Sequence, residues 1–177
     1  MKKFFTIVAA LLVVATIVFA QKQTVTKALV GYQIKNMGIN TSGRFKTVST
    51  DIVFDKDNLA ASSIEASVDV NSIDSDSEGR DKHLKAEDFF NVAVYPKMLM
   101  KSVSFKPKGG NKYSGVFNLT IKGKTKAVEV PFTYTDSNNM GLFKGSFKIN
   151  RKDFGVGGNS MVLADETTID FAVETSK

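Results

Sequence analysis

Over most of the chain the hydrophobic pattern has period two. Residues 64–70, IEASVDV, set Ile64, Ala66, Val68 and Val70 on one face and Glu65, Ser67 and Asp69 on the other, as in a half-buried strand. The same alternation groups Phe117, Leu119 and Ile121, then Val128, Val130, Phe132 and Tyr134. It continues with Phe143, Gly145, Phe147 and Ile149, and with Ile169, Phe171 and Val173. Residues 27–35, 43–54 and 98–106 are further predicted strands. Turn chemistry separates these runs at Asp55–Asn58, Gly109-Gly110-Asn111, Gly123, Ser137-Asn138-Asn139 and the glycine-rich Gly155–Asn159. About eight strands with short connections predict an all-β antiparallel barrel or sandwich. Pro131 lies inside a strand pattern and lacks an N–H, which predicts an edge or a bulge there. No repeat, low-complexity tract or linker divides the domain.

One stretch breaks the alternation: GRDKHLKAEDFFNVAVYP, residues 79–96. Ser75 followed by Glu78 fits a capping box. Asp76/Arg80, Glu78/Lys82 and Asp81/Lys85 are acid-to-base pairs at i,i+4, the favourable order on a helix. The spacing predicts a short helix over 77–88, anchored by Leu84, as a crossover or lid at one end of the β domain.

The first twenty residues are of another kind. Lys2 and Lys3 precede an apolar run from Phe4 to Phe19, and Val18 and Ala20 occupy the small-residue positions of a cleavage site before Gln21. That is the pattern of a secretory signal peptide over 1–20. A membrane anchor fits less well, because the run is short and no stop-transfer charges follow. Cleavage leaves 157 of the 177 residues as one domain, 21–177, and lowers the net charge from +6 to +4. The chain has no cysteine, which removes disulfides, thiolate metal sites and a lipidated N-terminal cysteine. A secreted chain without disulfides predicts a bacterial envelope setting, the periplasm.

Charge is unevenly spread. Residues 89–128 hold eight lysines and no acid, whereas 51–88 hold eleven acids and four bases. Solvated strand faces account for this. The sharper reading is a surface, the lysine-rich 97–126 region, for transient contact with anionic membrane lipid. The basic run carries no nucleic-acid-binding motif, so no nucleic-acid partner is expected.

The catalytic possibilities are thin. His83 is the only histidine; it shares a helix face with Glu87, but two ligands are too few for a transition metal, so no metal is expected. There is no GxSxG pattern, and Gly155-Val156-Gly157-Gly158 precedes a predicted strand rather than a phosphate-binding helix. No enzyme, catalytic residue or cofactor is predicted. His83 reads as a residue tying the helix to the barrel. Asp88 and Phe89 read as hinge and plug. The fourteen phenylalanines fall largely on inward-looking positions. They either fill a packed core or line a tunnel, since an eight-stranded barrel is just wide enough for one small apolar ligand.

The sequence resembles the YceI-like family of bacterial envelope lipid-binding barrels along nearly all of its mature length. The motif pieces are GRDKHLKAEDFFNVAVYP, GRFKTVSTDIVFD (43–55), VDVNSIDS (68–75), GVFNLTIKGKTKAVEVP (115–131) and INRKDFGVG (149–157). The resemblance implies an extended, lipocalin-like antiparallel barrel that holds an isoprenoid lipid, a quinone or a polyprenyl phosphate, in an apolar tunnel without catalysis. Many members carry histidine-leucine-glycine after the first strand; here Asn36, Met37 and Gly38 stand there, leaving a hydrogen-bonding group that does not titrate. The expected tunnel lining is Phe45, Phe54, Val68, Phe89, Phe105, Phe117, Leu119, Phe132, Phe143, Phe147 and Phe171. The expected head-group contacts are Asn36, Arg80, Lys82 and His83. The competing expectation is a solid barrel, a structural or interaction protein of the envelope with no lipid.

Overall fold

The computed structural model describes residues 21–176, so the predicted leader lies outside the described residues. The elements run β1 (Lys22–Asn36), β2 (Ile39–Phe45), β3 (Val48–Val53), β4 (Ser63–Asp69), β5 (Ile73–Asp74), α1 (Glu78–Lys85), β6 (Lys97–Pro107), β7 (Lys112–Ile121), β8 (Lys124–Ser137), β9 (Met140–Asn150) and β10 (Leu163–Ser176). They form one antiparallel sheet, ordered β10-β9-β8-β7-β6-β4-β3-β1-β2-β5, and β1 also pairs with β10 along its length. That last pairing closes the sheet into a barrel and removes the long edges an open sheet would expose.

Two of the staves are broken strands, so the barrel has eight. β2 and β3 both pair with β1 in one continuous register, Phe45 opposite Val30 and Ile52 opposite Gln23. β4 and β5 flank a 3-10 turn at Val70–Ser72. The two breaks brace each other: Lys46 N–H donates to the Ser72 carbonyl (3.1 Å) and Thr47 N–H to Ser72 Oγ (3.0 Å). The strand expected over 43–54 therefore begins earlier, at Ile39, and is interrupted at Lys46–Thr47. The interruption matters for the interior. Alternation would send Phe45 and Phe54 to opposite faces of an unbroken strand. The break shifts the alternation by one, so both side chains are buried inside. β1 keeps step through a bulge between Val25 and Lys27.

Hairpin turns at Lys122–Gly123 and Asn138–Asn139 fall where turn chemistry placed them, each with two positive φ angles. A third such turn, Met37–Gly38 (φ 52° and 79°), was not expected, because methionine carries no turn signal. Pro131 corrects another expectation. β8 lies inside the sheet between β7 and β9, not at an edge. Pro131 instead ends a ladder: β8 pairs with β9 only from Phe132 to Ser137, while its pairing with β7 runs through Pro131 without a break. The missing N–H falls on the side where the two strands part.

The helix forms as predicted but is shorter, Glu78–Lys85, and Ser77 rather than Ser75 caps it by accepting from Arg80 N–H. Ser75 N–H donates to Asp81 Oδ1 (2.9 Å), and Arg80 Nη1 donates to the Ser75 carbonyl (3.1 Å). Those bonds take the charged groups that would have paired along the helix. Among the described residues none of the three predicted i,i+4 ion pairs forms; Asp76 meets Arg44 at 3.5 Å instead. Leu84 packs with Phe45, Val70, Ile73 and Val92 in the cluster beneath the helix. Among the described residues no helix is long and apolar enough to cross a membrane.

The topology sorts the connections into two ends. The described termini, 54–62, 108–111 and the β8–β9 hairpin lie at one end. The β1–β2 hairpin, α1 with residues 86–96, the β7–β8 turn and residues 151–162 lie at the other. The first end is sealed by rings. Phe54 is edge-on to Phe105, Tyr113, Phe132, Tyr134 and Phe143, with centroids 4.9–5.8 Å apart. Each such pair adds about 0.5–1.5 kcal/mol beyond its burial. Outside them the buried Gln23 donates to the Phe54 carbonyl (3.2 Å) and accepts from Thr175 Oγ1 (2.6 Å).

Candidate ligand tunnel

The opposite end opens into a chamber of about 670 Å³ at the mouth. A second, inner chamber of about 140 Å³ continues it down the barrel axis. Phe45, Met98, Ile121, Ile149 and Ile169 line both, which places the inner chamber directly beneath the mouth chamber. It ends on Phe132 and Phe143, which stand on the Phe54 ring cluster. The result is a blind apolar tunnel.

Strand alternation builds its wall, and small residues make room for large ones. A Cβ on Gly145 would lie 2.5 Å from the Phe171 ring and 2.6 Å from the Pro131 carbonyl; one on Gly115 would lie 2.4 Å from the Phe117 ring. Of the expected lining, Val68, Phe117, Leu119, Phe132, Phe143, Phe147 and Phe171 stand on the inner chamber, Phe45 on both chambers and Phe89 at the mouth. Phe54 and Phe105 line neither. They meet edge-on at 5.7 Å within the ring cluster of the sealed end. Among the described residues Thr50 is the one polar residue of the inner wall, and its hydroxyl has no hydrogen-bond partner there.

Of the expected head-group contacts, Asn36, Arg80 and His83 line the mouth. Lys82 does not; the helical period carries Arg80, His83 and Leu84 to the chamber side and leaves Lys82 exposed on the other. The His83 ring meets Phe89 edge-on at 4.7 Å, and its Nε2 lies 3.4 Å from Asp88 Oδ2. Both contacts tie the helix to the segment that follows it. That segment is fastened in turn to residues 151–162. Gly157 N–H donates to the Asp88 carbonyl (2.9 Å), and Lys122 Nζ donates to the carbonyls of Glu87 (2.8 Å) and Gly155 (3.2 Å). Gly157 is at φ 68°, and a Cβ there would lie 2.8 Å from the Phe89 ring.

Two polar residues of the mouth escaped the sequence reading. Arg151 is buried, and all five of its N–H groups are used. Nε donates to Ala164 O (2.9 Å), Nη1 to Val156 O (2.8 Å) and Gly158 O (2.7 Å), and Nη2 to Leu163 O (3.2 Å) and Asp165 Oδ1 (3.2 Å). It is the post on which the wall 151–162 hangs. A charged residue in a turn reads as solvated, and nothing in the spacing marks it otherwise. Tyr32 lies over Gly43 on the facing strand, and its buried hydroxyl also lacks a partner. Burial pushes its phenol up to about 12, with Arg80 opposing and Asp81 and Asp74 reinforcing the rise. Its place on an alternating strand was legible; its importance was not.

The mouth therefore presents a neutral phenol, the Asn36 amide, the Arg80 guanidinium and the His83 ring, and among the described residues no carboxylate lines it. Such a set suits an acceptor-bearing or anionic group. The described residues hold no cluster of three or more histidine, cysteine, aspartate or glutamate side chains that could bind a metal. The lysines of 97–126 do not gather into one face. Lys106, Lys108 and Lys112 lie toward the sealed end, and Lys122 and Lys124 at the mouth. Lys101 pairs with Glu65 at 2.8 Å.

Comparison with known proteins agrees with this architecture. The family model described as the YceI-like domain matches residues 20–175. A UPF0312 protein of Yersinia pestis is 31% identical over 154 residues, covering 83% of this chain and 80% of that protein. The crystal structure of Burkholderia cenocepacia BcnA superposes with a TM-score of 0.80 at 32% identity, over 83% of this chain and 95% of that one. A polyisoprenoid binding domain from Saccharophagus degradans, implicated in plant cell wall breakdown, shares the fold at 12% identity. Its TM-score is 0.70, over 89% of this chain and 98% of that one.

Proposed function

The chain belongs to the YceI-like family, and on that premise we propose that it binds a long isoprenoid lipid in the blind tunnel, without catalysis. The tail fills the apolar part of the mouth chamber and reaches into the inner one, and the head group rests at the rim of the mouth against Asn36, Tyr32, Arg80 and His83. The observation that carries this is the passage itself, open at the polar mouth and apolar along its inner wall but for Thr50. The polyisoprenoid-binding description of the Saccharophagus domain supports the lipid class by likeness of fold. The driving force is burial. At about 25 cal/mol per Å² of apolar area, a few hundred Å² of tail gives several kcal/mol before ordering costs. Residues 1–20, read as a cleaved leader, put the mature chain, 21–177, in the periplasm, where a shielded tail can be stored or carried across water. The lipid is a ligand, not a cofactor; quinone and polyprenyl phosphate heads both suit the mouth.

The modest inner chamber favours one rival, a barrel that serves as a packed scaffold. Mass spectrometry of an organic extract of the protein, purified from its native envelope without detergent, separates the two. A stoichiometric isoprenoid or quinone is the expected result. An empty extract, together with failure to take up added isoprenoids, would leave the scaffold.

A further inference from the structure

The mouth has an apolar rim that extends beyond the tunnel wall. Met37 and Ile39, on the β1–β2 hairpin, are 74% and 71% exposed; Met161 and Val162, just before β10, are 105% and 52% exposed. The two segments are joined, since Met37 N–H donates to the Val162 carbonyl (2.8 Å), and Asn36 pairs with Ile39 on one side and Leu163 on the other. Met37 is held outward in a turn at φ 52°, a conformation a β-strand methionine would not choose unaided. Residues 34–43 and 154–164, the full tips of both segments, contain no acid and a single base, Lys35. The other exposed large hydrophobics, Leu29, Val94, Leu99, Val103 and Met140, are spread over β1, the 86–96 segment, β6 and β9, whereas these four share one uncharged tip.

Its position points to what covers it. Asn36 and Val162 line the mouth chamber, so the rim is continuous with the passage. The other end of the barrel is sealed by the Phe54 cluster, and a tail must enter and leave past this rim. A long apolar chain resides in a bilayer rather than in water. We propose that Met37, Ile39, Met161 and Val162 dock the mouth onto a lipid bilayer. The four side chains sink into the interface so that the tail passes between bilayer and tunnel without crossing water. The occupant follows from the tunnel reading of the proposed function, but the docking itself is measurable without any isoprenoid. The contact is apolar rather than ionic, and differs in that respect from a lysine-driven one.

The chain has no tryptophan, so one introduced indole reports without background. Protein purified from its native cells is mixed with phosphatidylcholine vesicles lacking isoprenoid. Met161→Trp is compared with Lys108→Trp at the sealed end. The expected result is a blue shift of the Met161→Trp emission on adding vesicles, unaffected by salt, and no shift for Lys108→Trp. In a second arm, the triple variant Met37→Asn, Ile39→Thr, Met161→Ser keeps residues suited to the positive φ and to the strand. Its vesicle co-sedimentation should drop by about tenfold or more, with unchanged thermal midpoint and unchanged uptake of isoprenoid offered in micelles. An unshifted Met161→Trp emission, or a triple variant that sediments like wild type, would overturn the docking. So would a wild-type rim that instead forms a concentration-dependent dimer lost in the triple variant, which would make it a protein interface. Vesicle binding without isoprenoid uptake would sink the ligand reading and leave the docking standing.

Discussion

Replacing Arg151 tests how the mouth is held open. Its guanidinium donates to four backbone carbonyls and one carboxylate, and the side chain is only 4% exposed. In Arg151→Met the apolar stem remains and every donor goes. A hydrogen bond to a charged group contributes about 1.5–3 kcal/mol net, but five such bonds do not add, because wall 151–162 can relax and admit water. Breaking a buried charged network by removing one partner typically costs about 3–5 kcal/mol, and that is the magnitude expected. For a domain of this size each kcal/mol moves the midpoint by about 2–4 °C, so thermal unfolding followed by circular dichroism should drop by roughly 6–20 °C. Arg151→Lys should recover only part of the loss, since a compact ammonium cannot span carbonyls that far apart. Asp165→Asn should cost under about 1 kcal/mol, because that carboxylate is 45% exposed. Arg151→Met should lose isoprenoid uptake before it loses the barrel, because the wall lines the mouth while the strands pair independently. A stability loss below about 1 kcal/mol for Arg151→Met would refute the reasoning and show the carbonyls to be satisfied without the arginine.

The two unpartnered hydroxyls give two further expectations. Thr50→Val removes a polar atom from the inner wall at nearly constant shape, and should raise stability by about 0.5–2 kcal/mol by urea titration while tightening uptake of an apolar tail; a clear loss of stability would mean the hydroxyl has a partner in solution. Tyr32 bears on pH. Its folded-state value, about 12, lies above the ordinary 10.0, so the unfolded chain gives up this proton first, and stability falls as pH rises from about 10 toward 12. One unit corresponds to about 1.4 kcal/mol, and the partly exposed ring is screened in part, so the fall is no more than about 2 kcal/mol. Urea midpoints on either side of that window should show a shallower slope in Tyr32→Phe than in wild type; equal slopes would assign the fall to other groups.

Alternation and turn residues carried much of the architecture by themselves. Each predicted strand exists, and Gly123 and Asn138–Asn139 turn where glycine and asparagine tolerate positive φ. The helix was legible because charges at i,i+4 and a capping serine break a period-two chain. What went unread depends on partners distant in sequence. The break at Lys46–Thr47 is made by Ser72, and it alone lets Phe45 and Phe54 both face inward. Pro131 ends a ladder rather than marking an edge, which follows from where β9 lies and not from the proline.

The interior was the harder question. Period-two alternation says which face is apolar, and a filled core and a hollow one make the same demand on it. Only closure of β1 on β10, with glycines placed opposite rings, decides how much space the wall encloses. Depth is likewise a tertiary property. Phe54 and Phe105 read like every other inward phenylalanine, yet they seal the barrel, whereas Phe132 and Phe143 form the tunnel floor. Arg151 makes the same point from the polar side. A lone arginine in a turn has no helix or strand period to mark it as buried, and becomes a post only when the connection that follows it folds back and sets four carbonyls around it. The sequence by itself determined a β-barrel with a helical crossover, because those signals are local and periodic. The tertiary structure decided which end is open, which rings are wall and which are seal, because those depend on how far along the axis each residue lies.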